Sequence, residues 1–167
     1  INQLEQQEQE LYAQIIDLQM NEMDKIKELS QQAIGIIEER KEKMNLEKES
    51  IDASKEEFTK IENLIEELDE AALKEKAQEM YDVMSNRYQT YDQLHQAYMN
   101  SLELEKELYE LLQDENVTQE QLSTHIENIN KTYEEVISEN DQFNAETVAY
   151  NDLKKEFYEM AELDVTY

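Results

Sequence analysis

From Thr118 to Phe157 the chain reads TQEQLSTHIENINKTYEEVISENDQFNAETVAYNDLKKEF, without a Gly or a Pro. Leu122, Ile129, Val136, Phe143, Tyr150 and Phe157 recur every seventh position, and Ile126 and Tyr133 fill the alternate seam positions. A half-buried strand would place apolar residues at every second position instead. The spacing therefore predicts one long helix, over 119–162. Asn140, Thr147 and Lys154 continue the alternate positions as polar residues, which lowers stability but can fix register against neighbouring helices. Its start is written locally: Thr118 and Gln121 form a T-x-x-Q capping box, Val117 and Leu122 form the hydrophobic staple, and the polar run 113–116 precedes them.

Reading upstream, a second helix is expected over 70–113, with Leu73, Ala77, Met80, Met84, Tyr88, Tyr91, Leu94, Tyr98, Leu102 and Leu112 at helical spacing. Asp69 is its expected cap, with Leu68 and Leu73 as staple. At about 1.5 Å per residue, either helix would span roughly 65 Å. The stretch 2–67 reads as a third, still longer helix. Gly35 or the Ser54-x-x-Glu57 capping box would mark a kink or break in it. Unbroken, that helix would overhang its partners, leaving Leu4, Leu11, Ile15 and Leu18 in need of cover. An upstream helix completing a four-helix bundle, a second chain, or a fold-back of the segment on itself would each provide it. The expected fold is thus all-α: a single domain over 1–167, an elongated antiparallel up-and-down bundle of three long helices, or four if the first segment is divided.

Composition agrees with this class. Among 167 residues there are no Pro and one Gly, too few for the turns of an all-β or α/β chain. Acidic residues number 42 against 15 basic ones, a net charge of -27. That field repels phosphate backbones and anionic lipid, which argues against nucleic-acid and membrane-surface partners. Cysteine is absent, which removes disulfides, zinc–thiolate sites and thiol catalysis. No run of residues is apolar enough to cross a membrane, and any export signal would lie upstream of Ile1.

Catalytic patterns are missing from the sequence. Di-iron bundles repeat a Glu-x-x-His pair; here Asp92-x-x-His95 is a distant relative, and Leu122 stands where His125 would need a ligand. A single Gly excludes the familiar calcium and phosphate loops, and no serine sits in a nucleophile elbow. No enzyme, metal or cofactor is expected. The acidic clusters Glu66, Glu67, Asp69, Glu70 and Asp114, Glu115 read as solvated helix ends. Tyrosine is the unusual residue. Tyr81, Tyr88, Tyr91 and Tyr98 form a row on the second helix, a candidate partner face whose alternative is a core edge with rings buried and hydroxyls wet. A pocket between helices lined by Tyr88, Tyr91 and Tyr133 is a further reading.

The stretch from Glu49 to Phe58, ESIDASKEEF, preceded by Glu8 to Leu18, EQELYAQIIDL, resembles the YkyA-type lipoproteins of low-GC Gram-positive bacteria, a family named for cell-wall binding. The likeness extends over most of the chain. It implies a helical, non-enzymatic, exported protein held outside the membrane by a lipidated cysteine upstream of this sequence. Its partner would be a cell-wall polymer or an envelope protein. Wall polymers are themselves largely anionic, so a chain of charge -27 needs a mediator there: divalent cations, the tyrosine row or a basic partner. The alternative is an intracellular coiled-coil or spectrin-like scaffold whose apolar positions near Leu4 to Leu18 would be a self-association seam.

Overall fold

A computed structural model describes residues 1–18 and 20–162, and every regular element among them is helical. In chain order these are α1 (Asn2–Ile16), a 3₁₀ turn (Met20–Glu22), α2 (Met23–Thr59), α3 (Glu62–Glu66), α4 (Ala71–Leu111) and α5 (Gln119–Met160). They gather into two compact units. The first comprises Ile1–Glu47 and His95–Val136; the second comprises Lys48–Leu94 and Ile137–Tyr167.

The first segment departs from the single helix expected over 2–67. It is three helices, and the main break falls just after Asp17 rather than at Gly35 or Ser54. Of the three possible covers for Leu11, Ile15 and Leu18, the chain uses the fold-back. Ile15 is buried in one cluster with Met23, Ile26, Leu29, Ala33, Ile37 and Met44 of α2, and Leu11, Tyr12 and Leu18 pack against it. Burying a Leu or Ile side chain is worth about 1.5–3 kcal/mol. The backbone hydrogen bonds lost at the break are worth about 1 kcal/mol each. Three apolar side chains wholly or partly covered are enough to decide for the turn.

Gly35 lies inside α2 on an exposed face, and a Cβ placed there would meet nothing within 4 Å. No packing contact requires a glycine at that position. Ser54 is also interior to α2, and its hydroxyl donates to the Ser50 carbonyl at 3.1 Å instead of capping a new helix. α2 ends at Thr59, and the short α3 follows.

In the first unit α1 and the leading half of α2 pack with the trailing half of α4 and the leading half of α5. Tyr98, Leu102 and Tyr109 of α4 enter the α1–α2 cluster, and Val136 of α5 packs against it. The second unit is richer in rings. Phe58 stacks on Tyr81 at 4.9 Å between centroids and meets Tyr88 at 5.7 Å, while Tyr91 meets Phe143 at 5.9 Å. The Arg87 guanidinium lies over the Phe143 ring at 4.1 Å, and its Nε donates to Thr147 Oγ1 at 2.7 Å. One polar seam position thus has a specific partner on α4, whereas Asn140 is exposed.

The starts of α5 and α4 are capped differently. The Gln121 N–H donates to Thr118 Oγ1 at 3.1 Å and the Thr118 N–H donates to Gln121 Oε1 at 2.9 Å, the reciprocal pair of a capping box. At α4 the N–H of Lys74 bonds the carbonyl of Glu70 at 2.9 Å, so Glu70 and not Asp69 occupies the capping position.

Candidate functional site

The apolar stripe of α2 in the first unit runs Ile26, Leu29, Ala33, Ile37 and Met44, and Arg40 stands in the same stripe. Its side chain is 1% exposed. A guanidinium brings five N–H donors into the core, and each must find an acceptor. All five do. Nε and Nη2 donate to the Tyr98 hydroxyl at 3.2 and 2.9 Å, Nη2 to Glu5 Oε1 at 3.1 Å, and Nη1 to Glu105 Oε2 at 2.8 Å and to Glu8 Oε2.

The acceptors come from three elements: Glu5 and Glu8 from α1, Tyr98 and Glu105 from α4, around the arginine of α2. Further hydroxyls close the network. Tyr98 donates to Glu5 Oε1 at 2.7 Å, and Tyr133 of α5 donates to Glu105 Oε1. The Tyr109 hydroxyl bonds Glu8, and its ring stands edge-on to Tyr12 at 6.4 Å.

Three carboxyl groups therefore face one guanidinium. Burial pushes the Glu105 carboxyl up to about 8, the neighbouring Glu8 charge adds to this, and Arg40 pulls against both. Glu8 is raised too, by burial opposed by Arg40. The two share the Nη1 end of the arginine, so at neutral pH the pair retains a proton. Burial is also the first cause that raises the Tyr98 and Tyr109 hydroxyls well above the usual phenol range.

Arg40 and the three carboxyl groups of this network form the floor of a cavity of about 440 Å³. The rings of Tyr12, Tyr109 and Tyr133 line it, Leu108, Ile126 and Ile129 add an apolar wall, and the exposed Gln9 and Asn130 stand at its mouth. Apolar walls with a few converging polar groups are the usual anatomy of a ligand site. A second cavity of about 230 Å³, in the other unit, is almost wholly apolar, lined by Phe58, Ile65, Leu68, Met80, Tyr150 and Phe157 among others.

The structure places the sequence-expected residues differently. Tyr88, Tyr91 and Tyr98 are buried and Tyr81 is half-buried against Phe58, so the row does not lie on an open face of α4. Tyr98 instead serves the Arg40 network. Tyr88 and Tyr91 belong to the second unit and Tyr133 to the first, so the pocket imagined among the three does not form within either unit. His125 Nε2 bonds the Leu104 carbonyl at 2.6 Å. Among the described residues no group of three or more His, Asp or Glu side chains stands where it could hold a metal ion. At the acidic helix ends Glu66 pairs with Lys74 at 2.7 Å, and Asp114 accepts from the Asn116 N–H at 2.8 Å.

Arg40, Glu8 and Glu105 were not anticipated. Their signal was present all the same, because each is a charged residue on an apolar helical stripe: Glu8 with Leu4, Leu11 and Ile15; Arg40 with Ile37 and Met44; Glu105 with Tyr98, Leu102 and Tyr109.

The family model YkyA, described as "Putative cell-wall binding lipoprotein", matches residues 1–160. The uncharacterized lipoprotein YkyA of Bacillus subtilis strain 168 is 32% identical over 161 residues, which cover 96% of this chain and 72% of that one. A conserved protein of unknown function from Staphylococcus aureus, known from a 1.6 Å crystal structure, superposes with a TM-score of 0.73 over 93% of this chain and 86% of its own. At 16% identity that likeness is one of fold.

Proposed function

The chain belongs to the YkyA family of putative cell-wall binding lipoproteins, and on that premise we propose that it is a non-enzymatic binding protein of the cell surface whose first-unit cavity grips a wall polymer. The observation that carries this reading is the cavity itself: about 440 Å³ over a floor formed by Arg40 and its carboxylates. A buried network of this kind is costly to assemble unless every member is satisfied, and its reward is a rigid, defined surface. The polar groups present hold charge and exchange hydrogen bonds with one another. None of them forms a nucleophile–base pair.

No helix among the described residues is long and apolar enough to cross a membrane. Membrane attachment is proposed to come from a lipidated cysteine upstream of this sequence, as the lipoprotein name of the family suggests. A self-associating scaffold would need exposed apolar positions near Leu4 to Leu18. Ile15 is now 3% exposed and Leu11 and Leu18 pack on the core, so that seam is largely used within the first unit.

The test is co-sedimentation of the pure chain with isolated cell-wall sacculi, comparing the parent with Asn130→Trp, an exposed change that fills the cavity mouth. Capture of the parent and its loss in the variant is the expected result, and equal capture of both would refute the assignment of the cavity. Capture that persists in a chelator separates the cavity from a divalent-cation bridge.

A further inference from the structure

Resting on the binding role just proposed for this cavity, we infer that its ligand is an organic ammonium group carried on the wall polymer, held between the Glu5, Glu8 and Glu105 carboxylates and the rings of Tyr12, Tyr109 and Tyr133. Three features of the cavity select that chemistry.

The first is hydrogen-bond supply. Among the described residues, Arg40 is the lone cation lining the cavity, and its five donors are all committed to Glu5, Glu8, Glu105 and Tyr98. An anionic ligand would have to break one of those bonds to be held. The carboxyl groups, by contrast, are the acceptors of the floor, and an ionised carboxylate offers about four acceptor sites. Glu5 is the accessible one, with a third of its side chain exposed, 33% against 9% for Glu8 and Glu105. What the floor lacks is a second positively charged donor beside the committed Arg40.

The second feature is the walls. Tyr12 and Tyr109 meet edge to face at 82°, so rings of different orientation border the carboxylates, and Tyr133 closes the α5 side. Ring faces attract ammonium groups within about 6 Å of the centroid, more strongly where water is excluded. Carboxylates alone would equally suit a metal ion, but the donor geometry for one is missing among the described residues, and the volume exceeds what a bare ion fills. Apolar Leu108, Ile126 and Ile129 suit a ligand with a carbon frame.

The third is charge on the larger scale. At -27 the chain repels an anionic polymer as a whole. Ammonium groups on that polymer, whether on amino sugars and peptide branches or as aminoacyl esters, are the points at which attraction replaces repulsion. The ammonium also takes the electrostatic place of the proton that Glu8 and Glu105 share, so its entry is expected to release that proton into solution.

Sacculi before and after N-acetylation with acetic anhydride, which removes ammonium charge and leaves the polymer otherwise intact, provide the test with the full chain. The expected result is at least a tenfold loss of capture on acetylation. Mild alkali, which cleaves aminoacyl esters and spares amines on sugars and peptides, then distinguishes the two sources. In parallel, calorimetry with tetra-glucosamine and with its fully N-acetylated counterpart should show at least tenfold preference for the amine, weakened a further tenfold by Glu5→Gln. Circular dichroism of Glu5→Gln establishes that it folds, and Asn130→Trp, which leaves the network untouched, gives an independent block of the cavity. Equal capture of native and acetylated sacculi would overturn the ammonium assignment. If that capture is still lost in Asn130→Trp, the cavity remains the wall site and only the ligand class is wrong; if it is not lost, the binding role of the cavity falls as well.

Discussion

Replacing Glu105 by Gln probes the buried network at the point where its charge is unbalanced. Glu105 is held up to about 8, burial being the first cause, whereas in the unfolded chain it titrates near its ordinary 4.5. The sign follows from proton counting: between those two values the folded state holds a proton that the unfolded state has lost, so stability falls as pH rises through the interval. The full difference corresponds to a ceiling of about 5 kcal/mol, and relaxation around Glu8 and Glu105 reduces it to an expected 2–4 kcal/mol, on the order of a buried ion-pair perturbation. Gln has nearly the shape of the protonated acid and still accepts from Arg40 Nη1, but it does not titrate. At pH 5 the variant should match the parent within about 1 kcal/mol, the range of one altered hydrogen bond. At pH 9 it should be the more stable of the two by about 2–4 kcal/mol. Urea unfolding followed by helical circular dichroism at pH 5, 7 and 9 measures both quantities, and taking the difference between two nearly identical chains removes the general effect of net charge. A stability difference that stays constant from pH 5 to pH 9 would refute the account of Glu105 as a buried, proton-holding carboxyl.

Two other changes test separate parts of the structure. Gly35→Ala should stabilise the chain by about 0.5–1 kcal/mol, since the position is mid-helix, exposed and open to a Cβ; a lower melting temperature would mean that α2 is kinked there. Arg40→Lys should cost about 3–5 kcal/mol, because an ammonium has three donors and no planar fork, leaving buried carboxylates unpaired; near-neutral stability would show that the five bonds are not formed together.

Most of the fold could be read from residue spacing, because long helices announce themselves by repetition. The Leu122-to-Phe157 heptads and the Thr118–Gln121 box are enough to locate α5. The reversal after Asp17 was harder to see. It carries neither Gly nor Pro, and the gain that drives it, cover for Leu11, Ile15 and Leu18, is tertiary and leaves no local mark. Gly35 drew attention as the chain's one glycine, yet a solvent-facing glycine within a helix costs too little to break it. The site escaped for a related reason. Tyrosines were conspicuous by number, whereas Arg40, Glu8 and Glu105 each looked like one more charge in a charged chain. Only their shared position on three facing apolar stripes distinguishes them, and that requires knowing which stripes face one another.

Because α1 supplies Glu5 and Glu8, the cavity floor exists only while the first sixteen residues lie docked on α2. Were the protein tethered through the upstream lipid proposed above, mechanical load would enter through that same helix. A pull on Ile1 acts on the helix that holds two of the three carboxylates facing Arg40, and peeling α1 away would strip the guanidinium of both before the rest of the unit is disturbed. Ligand grip and tether tension would then work against each other through one arginine, with strain at the anchor loosening the hold on the wall.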